Sequence, residues 1–427
     1  MNQRGGRSST SNQRRRAPRA PKTRAGTPAG LEGPWVSLRS ATNHPFIYQR
    51  MIREADRAAR PGDVVNVYIK DGELLGRGLY NPQSQIAIRM LTHGEAWVDE
   101  AFWRDAIARA VALRDLTRIS ETTDAYRLVH AEGDGLSGLI VERYADVLVM
   151  ELFSLGMAMR VRTITDALTN VLSPPTSLDR PQETFDHWRV LSRADARVCE
   201  MEGFELPETP EPDLSVVIRE NGLRFRVKPA SGHKTGFFCD QRDNRRRLAA
   251  LCGGKSVLDL CCYTGGFSVA ARVLGEASEV IGVDLDEDAV AVARENANLN
   301  QARIKFTHAD SFKYLRQMAE GERRFDVIAL DPPKFCLSRN DYEDAMKKYL
   351  DLNRLAMSVV APDGVLLTCS CSGLVSRDAF LQVVHRAGRQ AGRIVQVFDT
   401  TGPGADHPVR LNCPESGYLK AVWARVG

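Results

Sequence analysis

Apolar residues along this chain change their spacing twice. Between about residues 31 and 112 they gather in short β-branched runs, Val64-Val65-Asn66-Val67-Tyr68-Ile69 and Ile86-Ala87-Ile88-Arg89-Met90-Leu91, which predict strands. Asp71-Gly72, ahead of Leu74-Leu75-Gly76-Arg77-Gly78, predicts a hairpin turn. Residues 99–115 move to helical spacing through Phe102, Ile107, Ala110, Val111 and Leu113. From 121 to about 225 the pattern is mixed. It predicts strands over 136–144 and 147–152 that turn at Ala145-Asp146, a helix over 157–171, and a stretch with an exposed loop over the Pro- and Glu-rich residues 173–213. From about residue 223, strand-like runs at 256–260, 279–284, 303–307, 325–330, 364–369 and 394–399 alternate with helical stretches at 266–274, 287–300, 311–319, 342–359 and 376–391. That alternation predicts an α/β fold with a doubly wound, mostly parallel sheet. The segments are therefore drawn at 1–30, 31–115, 116–222 and 223–427, with no internal repeat.

Length supports this division, since 427 residues hold two or three domains at roughly 100–200 residues each. No apolar run approaches the ~20 residues that span a bilayer, and the polar, arginine-rich start does not read as a signal peptide. Nine cysteines, an odd number without a paired framework, suit a reducing compartment, so a cytoplasmic location is expected. No C-x-x-C pairing suggests zinc or an iron–sulfur cluster, and no metal is expected. Charge is unevenly placed. Residues 1–30 carry eight Lys/Arg and no acid, whereas the remainder carries 50 basic and 54 acidic residues. The first thirty residues, nearly devoid of apolar side chains, read as a disordered basic tail. It either attracts RNA phosphates or simply aids solubility.

Candidate chemistry lies at strand ends. Val257-Leu258-Asp259-Leu260 opens into Tyr263-Thr264-Gly265-Gly266-Phe267, a nucleotide-type turn that lacks the G-x-G-x-x-G of dinucleotide enzymes. Asp284 ends the next strand, suited to ribose hydroxyls. Asp310 follows a third strand and would lie near an adenine ring, or simply cap the helix beside Ser311. Asp331-Pro332-Pro333-Lys334-Phe335 forms a rigid turn whose acid and carbonyls could meet the amino edge of a base. Lys334 stands where exocyclic-amine methyltransferases usually carry an aromatic residue, which tilts against N-methylation. Cys369 and Cys371 lie two apart at another strand end and would face the same way if the strand persists. A thiolate can add to C6 of a pyrimidine and make C5 nucleophilic. Cys371 is preferred because it is nearer the loop. Ser231 to Arg245 joins Lys234, Phe237, Phe238 and Gln241, types that suit adenine stacking, phosphate contact and base edges. Arg245-Arg246-Arg247 reads more plainly as the solvated start of a helix, and His407 as a structural histidine. Together these features suggest methyl transfer to a nucleobase.

Over about residues 33–427 the chain resembles the bacterial 23S ribosomal RNA cytosine-C5 methyltransferases of the RlmI type. The matching stretches are His44-Pro45-Phe46, Glu132 to Gly138, His233 to Phe238, Tyr263 to Phe267, Asp331 to Phe335, Ser370-Cys371-Ser372-Gly373 and Asp406-His407-Pro408. The resemblance implies an N-terminal PUA domain that binds RNA, a central α/β domain of the EEHEE kind, and a class I, Rossmann-like methyltransferase domain using S-adenosyl-L-methionine. It implies Cys371 as nucleophile, and Asp259, Tyr263, Gly265, Gly266, Asp284, Asp310 and Asp331 as cofactor-site residues. Cys369, Cys261 and Cys262 depart from its pattern.

The expected activity is therefore formation of 5-methylcytosine in ribosomal RNA, 23S favoured, with Cys371 and Asp331 catalytic. Lys234, Gln241, Pro332 and Lys334 are expected to contact substrate. The rivals are an RNA base N-methyltransferase on the same fold and a non-catalytic RNA-binding or ribosome-assembly factor. Oligomeric state stays open, a homodimer included.

Overall fold

The structure, a computed structural model, describes residues 22–24, 31–172, 188–207, 213–229 and 236–427. Most of the basic tail lies outside these residues. Lys22–Arg24 is the exception, adding a short strand parallel to Ile52–Asp56.

The N-terminal unit is a seven-stranded sheet. The predicted strands form at Val64–Tyr68 and Ile86–Met90, and Asp71-Gly72 closes the hairpin between Val64–Tyr68 and Leu74–Tyr80. The predicted helix forms over Glu100–Leu116, with Asp99 capping it through the amide of Phe102. Its apolar face does not turn back on this sheet alone. Trp103, Ala106 and Ile107 share a core with Tyr126, Leu128, Ile164 and Leu168 of the central unit. Helical spacing gives a buried face but does not say which neighbour covers it.

The central unit has a four-stranded sheet, in the order Arg189–Arg193, Val147–Leu152, Leu139–Tyr144, Ala125–His130. The helix expected over 157–171 is broken into Leu155–Ala158 and Val161–Val171. The stretch expected to hold an exposed loop also holds the strand Arg189–Arg193 and the helix Ala196–Glu202, while residues 173–187 and 208–212 lie outside the described residues. A hairpin, Val216–Glu220 with Leu223–Val227, crosses the division drawn at 222/223. Its buried Ile218 and Phe225 pack with Val147 and Val149 on one side and Val269 and Ala270 on the other, so it joins two units rather than ending one.

The C-terminal sheet positions the site. Its strands are β1 (Ser256–Leu260), β2 (Glu279–Asp284), β3 (Lys305–His308), β4 (Phe325–Leu330), β5 (Val360–Ser370), β6 (Val395–Thr401) and β7 (Lys420–Val426). The order across the sheet is β3-β2-β1-β4-β5-β7-β6. β1 to β5 pair in parallel, and β7 runs antiparallel to both β5 and β6. β7 has no place in the strand–helix alternation, because it returns as a hairpin-like insertion rather than through a helical crossover. Leu258, Leu260, Ile328 and Leu330 are fully buried under the helices Tyr342–Val359 and Arg377–Gln390. Each such side chain contributes about 1.5–3 kcal/mol of burial. The chain runs from β1 outward to β3 and then returns to β4 beside β1. A crevice is left at the carboxyl ends of β1 and β4, where open α/β sheets bind ligands.

Candidate active site

After Leu260 the backbone turns through left-handed conformations at Cys261 (φ 58°), Tyr263 (φ 47°) and Gly265 (φ 81°). Two non-glycine residues held there store strain, and the surrounding bonds fix them. The amide of Cys262 donates to the Val283 carbonyl at 3.0 Å, and that of Tyr263 donates to Asp284 Oδ2 at 2.7 Å. The other Asp284 oxygen accepts from the amide of Asp286 at 2.9 Å. Asp284 thus ties the turn after β1 to the end of β2.

Asp259 lies beneath this turn, fully buried. Its Oδ2 accepts from the amide (2.9 Å) and hydroxyl (2.6 Å) of Ser268, which anchors the helix Gly266–Val273. Burial pushes its carboxyl up to about 7, against the two Ser268 bonds. Gly265 faces the Phe306 ring, and a Cβ there would come within 3.0 Å of it. Asp259 and Gly265 therefore support the turn and do not line the cavity above it.

That cavity, of about 410 Å³, is lined by Tyr263, Gly266, Asp284, Asp310, Asp331 and Cys371, among others. Asp310 both reaches it and caps the helix Ser311–Glu320, accepting from the amide of Lys313 at 2.9 Å. Gln241, Pro332 and Lys334 line it too, with Lys334 exposed and Pro332 buried. Gln241 Oε1 accepts from Asn244 Nδ2 at 2.7 Å. Lys234 lies outside the described residues.

The two cysteines part company because β5 ends at Ser370. Cys369 is still in the ladder opposite Ala421, is 0% exposed, and packs with Leu367, Leu419 and Trp423. Burial drives its thiol far up. Cys371 has left the strand, is half-buried, and faces the cavity with its Sγ 4.0 Å from the Pro332 carbonyl oxygen. The alternation that would have set both thiols on one face stops between them.

Comparison with known proteins agrees with this geometry. Residues 138–401 match the family model for S-adenosylmethionine-dependent methyltransferases, and residues 39–93 match that for PUA-like domains. Proteins named ribosomal RNA large subunit methyltransferase I are 38% identical over 392 residues in Aliivibrio fischeri MJ11 and 40% identical over 391 in Shewanella frigidimarina. In both, the match covers 90% of this chain and 95% of the relative. The chain belongs to the large subunit methyltransferase I family. Among solved structures, one holding S-adenosylhomocysteine superposes with a TM-score of 0.73 at 22% identity, covering 90% of this chain and 96% of its own. A Streptococcus mutans chain assigned as a SAM-dependent methyltransferase also gives 0.73, at 20% identity, covering 91% and 100%.

The cofactor of a methyltransferase I family member is S-adenosylmethionine, and the cavity suits it. Asp284 and Asp310, the residues expected at the ribose and adenine ends, both line the cavity. The wall also carries the Phe238–Tyr263 ring pair, with centroids 4.9 Å apart. Five carboxylates, Asp240, Asp284, Asp286, Asp310 and Asp331, give an acidic lining for a sulfonium cation.

Sequence reasoning missed several supports. Arg245, expected at a solvated helix start, is buried. Its guanidinium grips Glu220 of the hairpin (2.7 and 2.6 Å) and donates to the Phe238 carbonyl at 2.9 Å, holding the aromatic loop over the cavity. Of that basic run, Arg246 is exposed and Arg247 half-buried. The partner Glu220 is 25 residues away, so no local signal marks it. Lys420, also unmarked, lies under the Cys371 turn. His407 is buried with its ring 5.1 Å from that of His130, away from the cavity lining. His44, Cys413 and Glu415 converge elsewhere, yet as a hydrogen-bonded latch. His44 Nδ1 accepts from the amide of Phe46 at 3.0 Å, so a neutral ring carries its proton on Nε2 and donates it to Glu415 at 3.2 Å. That tautomer leaves no lone pair on Nε2 for a metal. Among the described residues no helix is long and apolar enough to cross a membrane.

Proposed function

We propose that the chain methylates C5 of a cytosine in ribosomal RNA, 23S rRNA favoured, through a covalent bond between Cys371 and C6. The observation that carries this reading is a half-buried thiol on the wall of the cofactor cavity, beside Asp331-Pro332. The names of the relatives supply the class of RNA, and the PUA-like unit supports RNA contact. A base reaches such a recess only after leaving its stack. The Cys371 thiolate then adds to C6, and the C5=C6 π electrons move so that C5 becomes nucleophilic. Asp331 and the adjacent backbone face the N3 and N4 edge of the altered ring. Bound S-adenosylmethionine supplies the methyl group as a cation equivalent and leaves as S-adenosylhomocysteine. Loss of the C5 proton to a base returns the electrons to C5=C6 and expels the thiolate.

The test is methyl transfer from labelled S-adenosylmethionine to 23S and 16S rRNA from cells lacking the protein, followed by nucleoside analysis. 5-Methylcytidine is expected in 23S rRNA, falling at least about a thousandfold with Cys371→Ser and persisting with Cys369→Ser. A methyl group on an exocyclic amine, or activity that survives both substitutions, would sink the covalent route. RNA binding without any transfer would point to an assembly factor.

A further inference from the structure

Lys420 is the one buried lysine among the described residues, at 5% exposure. It begins β7, directly opposite Ser370 at the end of β5. Its ammonium donates to the Ser372 carbonyl at 2.6 Å and to the Tyr418 carbonyl at 2.8 Å. Among the described residues no carboxylate lies within 4.0 Å to form an ion pair with it. A buried cation without a counter-ion is costly, by several kcal/mol. The cost calls for a compensating anion, and the first residue past the strand end is Cys371.

The surroundings are consistent with that pairing. Burial brings Lys420 down to about 8, a negative charge on Cys371 would raise it again, and the exposed Lys334 opposes its protonation. Such coupling is reciprocal, so a charged Lys420 must favour the Cys371 thiolate by the same amount. The other ionisable groups facing this turn are Asp331 and Asp240 on the cavity wall, Cys336, Cys369 and Tyr349. The two carboxylates repel a thiolate, and the three thiol or phenol groups are neutral when protonated. Tyr349 holds the turn, with its hydroxyl 3.0 Å from Ser372 Oγ and 3.1 Å from Ser370 Oγ. An ammonium has three protons and the two carbonyls take two of them.

We propose that Lys420 is the counter-ion of Cys371, a positioning residue whose fixed ammonium keeps the thiol ionised and the Ser370–Ser372 turn in place. Its catalytic consequence rests on Cys371 being the nucleophile; the ion pair itself does not. The arrangement explains how a thiol in a cavity lined by carboxylates can react at neutral pH.

The first experiment uses the wild-type chain without RNA. Carboxamidomethylation of Cys371 by iodoacetamide is followed by peptide mass spectrometry from pH 5.5 to 9.5, which separates it from the other eight cysteines. The rate should reach half its maximum at least about one unit below the ~8.5 of a free cysteine. A midpoint at or above that value overturns the proposal, whatever any variant does. Lys420→Met should move the midpoint up by about a unit and slow alkylation roughly tenfold at pH 7, and Lys420→Arg should restore most of both. Methyl transfer by Lys420→Met should lose kcat with KM for S-adenosylmethionine unchanged, and recover as pH rises. A midpoint unmoved in folded Lys420→Met also overturns the proposal, even if methyl transfer is lost. If instead the midpoints move as expected but Cys371→Ser still transfers methyl groups, the ion pair stands and the nucleophile reading falls.

Discussion

Asp259 and Asp284 end neighbouring strands, one residue type read twice by the same rule, yet they meet different surroundings. Asp284 is half-exposed at the cavity and takes two backbone amides. Asp259 is sealed below the turn. Its carboxyl titrates near 7 in the folded chain because of burial, against 3.8 as its ordinary value. The folded state therefore binds more protons between those limits. Stability from this group declines as pH rises through the window, and the full cost is present above about pH 7. Asp259→Asn keeps an acceptor for Ser268 without the charge. Thermal melts should show it losing less stability than wild type between pH 5 and 8, by on the order of 2 kcal/mol. Parallel curves would show that Asp259 ionises freely in place. The acidic strand ends were legible in the sequence, but which acid faces ligand was not, since strand periodicity does not say where the chain turns.

At the scale of elements, the glycine turn works as a bracket between β1 and the helix Gly266–Val273. Gly265 combines φ 81° with a ring 3.0 Å from any added Cβ. Gly265→Ala should cost about 1–3 kcal/mol and weaken S-adenosylmethionine binding roughly tenfold by calorimetry, as Tyr263 and Gly266 move with the bracket. Gly253→Ala is the contrast. Its Cβ would meet nothing nearer than 3.9 Å, so little change in melting temperature or binding is expected. The strand, turn and helix were all readable from spacing. The division of labour between Gly265 and Gly266 depends on Phe306, which arrives from β3.

Across the whole molecule, Asp406 joins the units behind the cavity. Arg242 holds it through two bonds (2.8 and 3.2 Å), the amide of Arg127 donates to it at 2.9 Å, and Arg114 donates to its carbonyl at 2.7 Å. Burial works against its charge, but His407 and Arg242 hold its carboxyl well below the usual range. Its stabilising share is thus present above about pH 4 and is lost as pH falls towards the depressed value. Asp406→Ala strips Arg242 of its buried partner and leaves it the 3.4 Å contact of its Nε to the exposed Asp243. It should cost about 3–5 kcal/mol in denaturant unfolding at pH 7. The exposed Arg323–Glu279 pair sets the scale for a surface contact, and Glu279→Ala should change stability by no more than about 1 kcal/mol. Asp406-His407-Pro408 was visible as a motif, but its partners come from the helix Glu100–Leu116, the strand Ala125–His130 and the helix Arg242–Ala249, so only folding assembles them.

What the sequence determined by itself was local and periodic: the alternation of strands and helices, the turn at Tyr263 to Phe267, the acids at strand ends, the Pro-Pro turn and a thiol near a cavity edge. Apolar spacing and turn chemistry act over a few residues, so they can be read in order. The tertiary structure decided everything that depends on what arrives from elsewhere. The end of β5 at Ser370 separates Cys369 from Cys371, and β7, fifty residues later, seals the first and sets Lys420 under the turn that carries the second. Burial and charge pairing are properties of neighbours in space, and the energy of a buried ammonium or thiol is fixed only when those neighbours are in place.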